Sequence, residues 1–323
     1  MQTRNFVASP AVSVGIRAML PLLCALATGH VSLEGVANFR AVSPSLPGLY
    51  RAGALERATA ADVAYLLDGA RIRTIIDLRN DDEIDGAWRK SSDYGRALRG
   101  AYDGLAPVGP GKPASEGAGN LCRSHVPLLV DADAFLEEVA ASLSPARKAE
   151  AAAYRMFDGK RYDRLLYDEV ARGKQAGLYR VMLRTSAEIG PALKLVAERR
   201  EHGPVLFHCA QGKDRTGVLA ALLQHVGGDD EAQIVRGYEQ SAELIREHEE
   251  RAAEHGMAVD EPEVKTVDWS ALRGSPAEAM AETFAFLRSE HGSIDGYLAT
   301  ALGDATEAEA WRRKLLNAVR RRP

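Results

Sequence analysis

Cys209 and Arg215 stand six positions apart in the stretch HCAQGKDRTG, residues 208–217. An ordinary cysteine, with a pKa of about 8.5, is mostly protonated at neutral pH, whereas reactive cysteines beside cations, helix N-termini or inward-facing amides ionise between roughly 3.5 and 7.5. In such a setting Cys209 would attack as a thiolate without a separate base. Arg215 offers a planar fork that matches two oxygens of a phosphoryl group and follows them as charge spreads in the transition state. A lysine there would lose the bidentate contact. The pairing therefore suits attack of sulfur on phosphorus, with Ala210, Gln211, Gly212, Lys213, Asp214, Arg215 and Thr216 supplying the phosphate cup. The Thr216 hydroxyl is expected to donate toward the sulfur and so help it leave when the phosphocysteine is hydrolysed.

Cysteine and arginine at this spacing arise often by accident, so the setting decides. Pro204-Val205-Leu206-Phe207 reads as a strand running into His208-Cys209, Gly212 frees the turn, and Arg215-Thr216-Gly217 opens the apolar helix VLAALLQHV. Strand, tight loop and helix N-terminus gather backbone N–H groups around an anion. A nucleotide-binding Walker loop would need glycine at 207 and Ser or Thr at 214, where this chain has Phe207 and Asp214. A papain-like protease gives Lys213 and Arg215 no role, although a distant histidine remains possible on sequence grounds. Joint metal ligation by His208 and Cys209 is sterically poor, because neighbours on a strand face opposite ways. An inert buried thiol would leave the charged loop without a purpose. A rhodanese-type sulfurtransferase, which also sets a cysteine in an anion loop after a strand, stays open.

The elements that must position this loop read as an α/β fold, a central twisted, mostly parallel sheet flanked by helices. Strands are expected within 35–42, 48–55, 72–79, 123–130 and 203–209. TIIDLR and PVLFHC carry contiguous apolar runs, as strands buried on both faces do. Residues 59–70 predict a helix with Thr59 as N-cap and Gly69 as its stop. From 131 to about 201 the chain is helix-forming, with a break at Pro145 and one long final helix to Arg200; Tyr154, Phe157, Tyr162, Tyr167 and Tyr179 each read as core packing. Beyond the loop, helices are expected over 215–226, 229–254, 275–291, 293–302 and 306–321. Residues 103–120, dense in Gly, Pro, Ala and Ser, predict a surface loop.

HCAQGKDRTG resembles the signature loop of the cysteine-based protein tyrosine and dual-specificity phosphatases, most closely the bacterial-type tyrosine-phosphatase-like branch. NFRAV at 38–42, LYRAGAL at 49–55, IIDLRNDDE at 75–83 and EHGSIDGYL at 290–298 accompany it in order. The resemblance implies a single phosphatase domain over 34–321, with a helical insertion at about 131–175 and a helical C-terminal part. It further implies phosphomonoester hydrolysis through a phosphocysteine, with no metal and no cofactor. By position, Cys209 is the nucleophile and Arg215 the phosphate clamp. Ala41 departs from the pattern, which usually has an acidic residue after Asn-Phe-Arg.

A leaving oxygen needs a proton donor. Asp77, at the C-terminal end of a buried strand, is the first choice, and the Asp-Leu-Arg motif of the resemblance points to it too; the competing reading is a cap or an ion pair with Arg79. Asp214, inside the loop, is the second, and Asp81, Asp82 and Asp103 stand further out. Arg40, Arg51 and Arg79 would add positive potential unless solvated or paired. Lys213 suggests a second anionic substituent on the substrate, so phosphorylated proteins and phosphoinositides are both expected as substrates. A catalytically silent phosphate-binding module uses the same residues.

The chain has 323 residues, 46% of them hydrophobic and 27% charged, enough for a sizeable core. Its formal net charge of −4 gives no global basic field, so nucleic acid is not expected as a partner. Three cysteines, Cys24, Cys122 and Cys209, far apart and without CxxC spacing, argue against disulfides and zinc and fit a reducing, cytoplasmic setting. Residues 1–33 contain no Asp or Glu, and their apolar run at 18–29 is too short to span a bilayer. They form an N-terminal extension that is a secretory signal, an organellar transit peptide or a loosely packed arm. No stable membrane insertion is expected, and the sequence leaves the oligomeric state open.

Overall fold

The computed structural model describes residues 31–88, 121–129, 132–254 and 272–321. The loop expected at 103–120, nearly all of the N-terminal extension and Asp103 lie outside them.

Five short strands form one sheet: β1 (Arg40–Ala41), β2 (Leu49–Ala52), β3 (Thr74–Asp77), β4 (Cys122–His125) and β5 (Val205–His208). Their spatial order is β1-β2-β5-β3-β4. β1 pairs antiparallel with β2, and every other pairing is parallel. Four of the strands lie inside stretches read as strands from sequence, shortened at both ends, while β4 starts one residue before its expected stretch at 123–130 and stops five residues short of its end. The centre is β5, all four residues of which are buried, flanked by β2 and the equally buried β3.

Side chains alternate across these strands as the pleat requires. Ile76, Val205 and Phe207 face one apolar cluster, and Ile75, Leu206 and Ala52 face another. The second face is covered by helix α1 (Ala60–Ala64), which Thr59 opens with a reciprocal capping box to Asp62, and which continues as one π-helical turn over Tyr65–Gly69. Asp62 also accepts from the Glu34 and Gly35 amides at 2.8 and 2.7 Å, which anchors the first described residues.

Next come α2 (Asp81–Trp88), α3 (Ala132–Ser142), α4 (Pro145–Phe157), α5 (Gly159–Thr185) and α6 (Ile189–Arg200). Pro145 opens α4 behind a Ser144 cap, where a missing N–H costs nothing. The single long helix expected up to Arg200 is two helices, parted at residues 186–188. α5 is itself kinked where Lys174 takes φ 51° and ψ −159°. Before the kink, Leu165, Leu166 and Val170 close with Val139, Leu143 and Ala151 over a third apolar cluster, separate from the sheet's two. Phe157 does not pack there: it is 83% exposed at the end of α4, beside Met156 at 76%.

The first face is covered by α6, the second part of α5, α7 (Arg215–Gly227), α8 (Glu231–Glu254), α9 (Ala277–His291), α10 (Ile294–Leu302) and α11 (Ala305–Arg320). α7 ends where Gly228 turns left-handed at φ 90°. Among the described residues no helix is long and apolar enough to cross a membrane, and no group of three His, Cys, Asp or Glu side chains stands ready to hold a metal.

Candidate active site

β5 delivers Cys209, 3% exposed, to the start of a loop that ends at α7. Three successive carbonyls of that loop are bound from outside. The Ala210 carbonyl accepts from the Ala54 amide at 2.8 Å. The Gln211 and Gly212 carbonyls accept from Asn38 Nδ2 at 3.1 and 2.9 Å. Gly212 O also accepts from Arg51 Nη2 at 2.7 Å. Since the N–H of each planar peptide points opposite to its carbonyl, the amides of Gln211, Gly212 and Lys213 are turned inward. Gly212 makes the turn at φ 67°, and a Cβ there would lie 2.3 Å from the Ala52 carbonyl carbon and oxygen.

The donors that fix the loop are themselves braced. Asn38 takes φ 59°, a left-handed conformation that asparagine tolerates. Arg40 Nη1 holds Asn38 through its carbonyl and side-chain oxygens, while Arg40 Nη2 donates to Gly237 O at 2.8 Å and Ser241 Oγ at 2.9 Å. Burial pulls the Arg40 guanidinium well below its usual range, and Arg51 beside it adds to the fall. Burial likewise lowers Arg51 to about 10, against the pull of Cys209, Tyr179, Tyr238 and Asp214 around it. Of the three arginines expected to add positive potential, Arg51 alone stands against the loop and the sulfur. Arg40 acts one layer behind, and Arg79 is neutralised by carboxylates.

Arg215 is held end-on by a residue not singled out from sequence. Glu83 on α2 accepts from Arg215 Nη1 at 2.6 Å and from Nη2 at 2.7 Å. A guanidinium has five N–H groups, so three remain outside this pair. Burial would raise the Glu83 carboxyl, but the hydrogen bonds and charge of Arg215 and the Asn80 amide bring it below its ordinary value. Against burial, the Glu83 hydrogen bonds and the charges of Cys209, Glu83 and Asp214 hold Arg215 above its own.

Asp77 proves a poor proton donor, and the ion-pair reading is the one realised. Its carboxylate accepts from Arg79 Nε at 3.0 Å, Nη2 at 2.8 Å and the Arg79 amide at 3.1 Å, and Arg79 also pairs with Glu56 at 2.5 Å. Burial alone would raise Asp77, yet His208 and Arg79 reverse that and hold its carboxyl far below the usual range. It is buried, paired and ionised. His208, 3.7 Å from Asp77 through Nε2 and 3.2 Å from the Cys209 carbonyl through Nδ1, is kept below its normal range by burial. Asp81 is exposed, with its carboxylate 3.6 Å from His125, and Asp82 is exposed as well.

Asp214, by contrast, is in the loop with its side chain 30% exposed. It is the residue before α7 yet makes no capping bond, which leaves the first helix amides open to an anion. Its Oδ1 instead accepts from Tyr179 Oη at 2.7 Å, and Tyr179 Oη lies 2.7 Å from Tyr238 Oη. Tyr179 was expected to be core packing; it is buried, but its hydroxyl belongs to the site. A lone aromatic in a helical stretch carries no signal for this, and Tyr238 carried none.

Two expectations of the loop itself change. Lys213 is 4% exposed and donates to the Leu272 carbonyl at 2.7 Å, with Asp214 Oδ1 3.8 Å away, so its ammonium is already engaged. The Thr216 hydroxyl is fully buried and, among the described residues, makes no hydrogen bond to the sulfur or to any other atom.

The profile of the tyrosine phosphatase family matches residues 31–317, which takes in the sheet, the loop and the helices that cover them. The chain belongs to that family. A tyrosine-protein phosphatase of Nostoc commune is 37% identical over 115 residues, 33% of this chain and 38% of the relative. The match therefore spans well under half the length of that relative. Among solved structures, TpbA of P. aeruginosa is similar at 18% identity and a TM-score of 0.29, covering 82% of this chain and 96% of that one.

Proposed function

We propose that this member of the tyrosine phosphatase family hydrolyses phosphomonoesters, phosphotyrosine in proteins foremost, through a phosphocysteine on Cys209. The carrying observation is the orientation of the loop peptides: with three successive carbonyls bound on the outside, the amides converge on the space above Cys209. The sulfur forms a bond to phosphorus as the ester P–O bond breaks. Arg215 holds two phosphoryl oxygens through N–H groups that Glu83 leaves over. Asp214 gives its proton to the leaving oxygen and, as a carboxylate, takes one from the water that then cleaves the P–S bond. Asp214 replaces Asp77 in this role because Asp77 has no proton to give.

Lys213 is 4% exposed and turned to the Leu272 carbonyl, which favours a phosphotyrosyl substrate over a phosphoinositide, since the loop's extra cation is buried away from a second phosphate. The test is hydrolysis of para-nitrophenyl phosphate, a phosphotyrosyl peptide and a phosphatidylinositol phosphate by wild type and Cys209→Ser. Turnover only with Cys209 present, a trapped phosphocysteine and preference for the peptide support the assignment. Equal rates in the two proteins refute the mechanism; phosphate binding without turnover identifies a silent module.

A further inference from the structure

We propose that Tyr179 and Tyr238 are positioning residues that decide which oxygen of Asp214 carries the proton it donates, and that helix α5, emerging from the insertion, thereby completes the catalytic site. The inference rests on the reading of Asp214 as the general acid.

A tyrosine hydroxyl has one proton to give. Tyr179 gives its proton to Asp214 Oδ1 at 2.7 Å, so the 2.7 Å contact to Tyr238 is made by the Tyr238 proton pointing at the Tyr179 oxygen. The chain of hydroxyls then runs in one direction, Tyr238 to Tyr179 to Asp214. In the opposite direction, a proton on Oδ1 would go to Tyr179 and the Tyr179 proton to Tyr238. The Tyr238 proton would then need an acceptor, and Tyr238 has no hydrogen bond but that to Tyr179 among the described residues. Both rings are essentially buried, at 0% and 1% exposure, where an unpaired hydroxyl is costly. The buried cation Arg51 close by acts the same way, favouring the arrangement in which the Tyr238 oxygen keeps its lone pairs toward it. Oδ1 is thus fixed as an acceptor, and the acidic proton of Asp214 is confined to Oδ2.

The rings are held to this geometry. They meet edge to face at 6.0 Å, and a Cβ on Gly217 would lie 3.3 Å from the Tyr238 ring, so the ring sits directly on the first turn of α7. One turn before Tyr179, just past the kink, Gln175 donates to the Arg273 carbonyl at 2.9 Å, while Lys213 of the loop binds the neighbouring Leu272 carbonyl. Residues 272 and 273 therefore tie α5 to the loop independently of the tyrosines.

Asp214→Asn, Tyr179→Phe and Tyr238→Phe are compared with wild type on a phosphotyrosyl peptide, whose leaving phenolate needs a proton, and on para-nitrophenyl phosphate, whose leaving group does not. Asp214→Asn should cost about a hundredfold or more in kcat/KM on the peptide and far less on the nitrophenyl ester. Tyr179→Phe should show the same substrate pattern at about tenfold, carried by kcat rather than KM, because a proton free to sit on either oxygen is less often placed against the leaving group. Tyr238→Phe should show the same pattern by less. Equal losses on the two substrates, or a loss carried by KM alone, would make the tyrosines mere packing and overturn the proposal. Should Tyr179→Phe not fold, the Tyr238→Phe comparison of the two substrates decides alone. If Asp214→Asn shows no dependence on leaving group, the general-acid reading falls and this inference with it, an outcome distinct from failure of the tyrosine variants alone.

Discussion

Replacing Glu83 with glutamine tests whether Arg215 works as a fixed clamp. Two charge-assisted hydrogen bonds, at 2.6 and 2.7 Å, fasten the guanidinium end-on, with the Arg215 side chain 14% exposed and Glu83 37% exposed. Bonds of this kind contribute about 1.5–3 kcal/mol each when well shielded. Solvent around Glu83 reduces that, and glutamine keeps an oxygen that can accept one of the two. The expected loss is about 1–2 kcal/mol of transition-state stabilisation, which is roughly a five- to thirtyfold fall in kcat/KM. It should be carried by kcat, because an arginine free to rotate still attracts phosphate but no longer follows the two oxygens as charge spreads. Steady-state hydrolysis of para-nitrophenyl phosphate, with a melting curve to show that the fold is kept, makes the measurement. The opposing effect is that the Glu83 carboxylate competes with the incoming dianion for Arg215. A lowered KM with kcat unchanged or raised would mean that competition dominates, and the clamp argument would be wrong.

Asp77→Asn should destabilise the protein by about 3 kcal/mol at pH 7, because it strips one carboxylate from a buried pair, yet spare the leaving-group dependence of the surviving activity. The Asp77 carboxyl is depressed on folding, so the stability it adds is complete above the unfolded value near pH 4 and fades as pH falls below it; denaturant titrations should show the gap between variant and wild type narrowing under acid, and a constant gap would contradict the pairing. Gly212→Ala should abolish phosphate or vanadate binding, since its Cβ cannot enter the space held by the Ala52 carbonyl, and near-normal binding by calorimetry would refute the account of the turn. Asn38→Ala removes both side-chain donors from the loop carbonyls and should weaken vanadate inhibition about tenfold, while a change in melting temperature alone would reduce Asn38 to a structural support.

What sequence reveals here follows from how local each signal is. TIID and VLFH show their burial on both faces as unbroken apolar runs, and Thr59 with Asp62 writes its cap within four residues. The Asp77–Arg79 pair was legible as an alternative, because residues two apart at a strand end share a side. The partners of the loop were not. Glu83 is 132 positions from Arg215, Asn38 is 174 from Gly212, and Tyr238 is 59 from Tyr179, and each looks like an ordinary solvated or packed residue until the sheet brings it in. The kink at Lys174 leaves no mark in the sequence, because the helical pattern runs straight through it. Lys213 misled in the other direction, since a lysine in an anion loop reads as a free cation until a carbonyl is found against it.

The anion cup is assembled from two distant stretches of chain: 37–54, which supplies the outer donors, and 209–217, which supplies the amides. A backbone cut between α4 and α5 would place them on different polypeptides, neither able to grip an oxyanion alone. Recovery of vanadate affinity on mixing the halves would then report reassociation directly, which makes this fold a ready template for a split reporter.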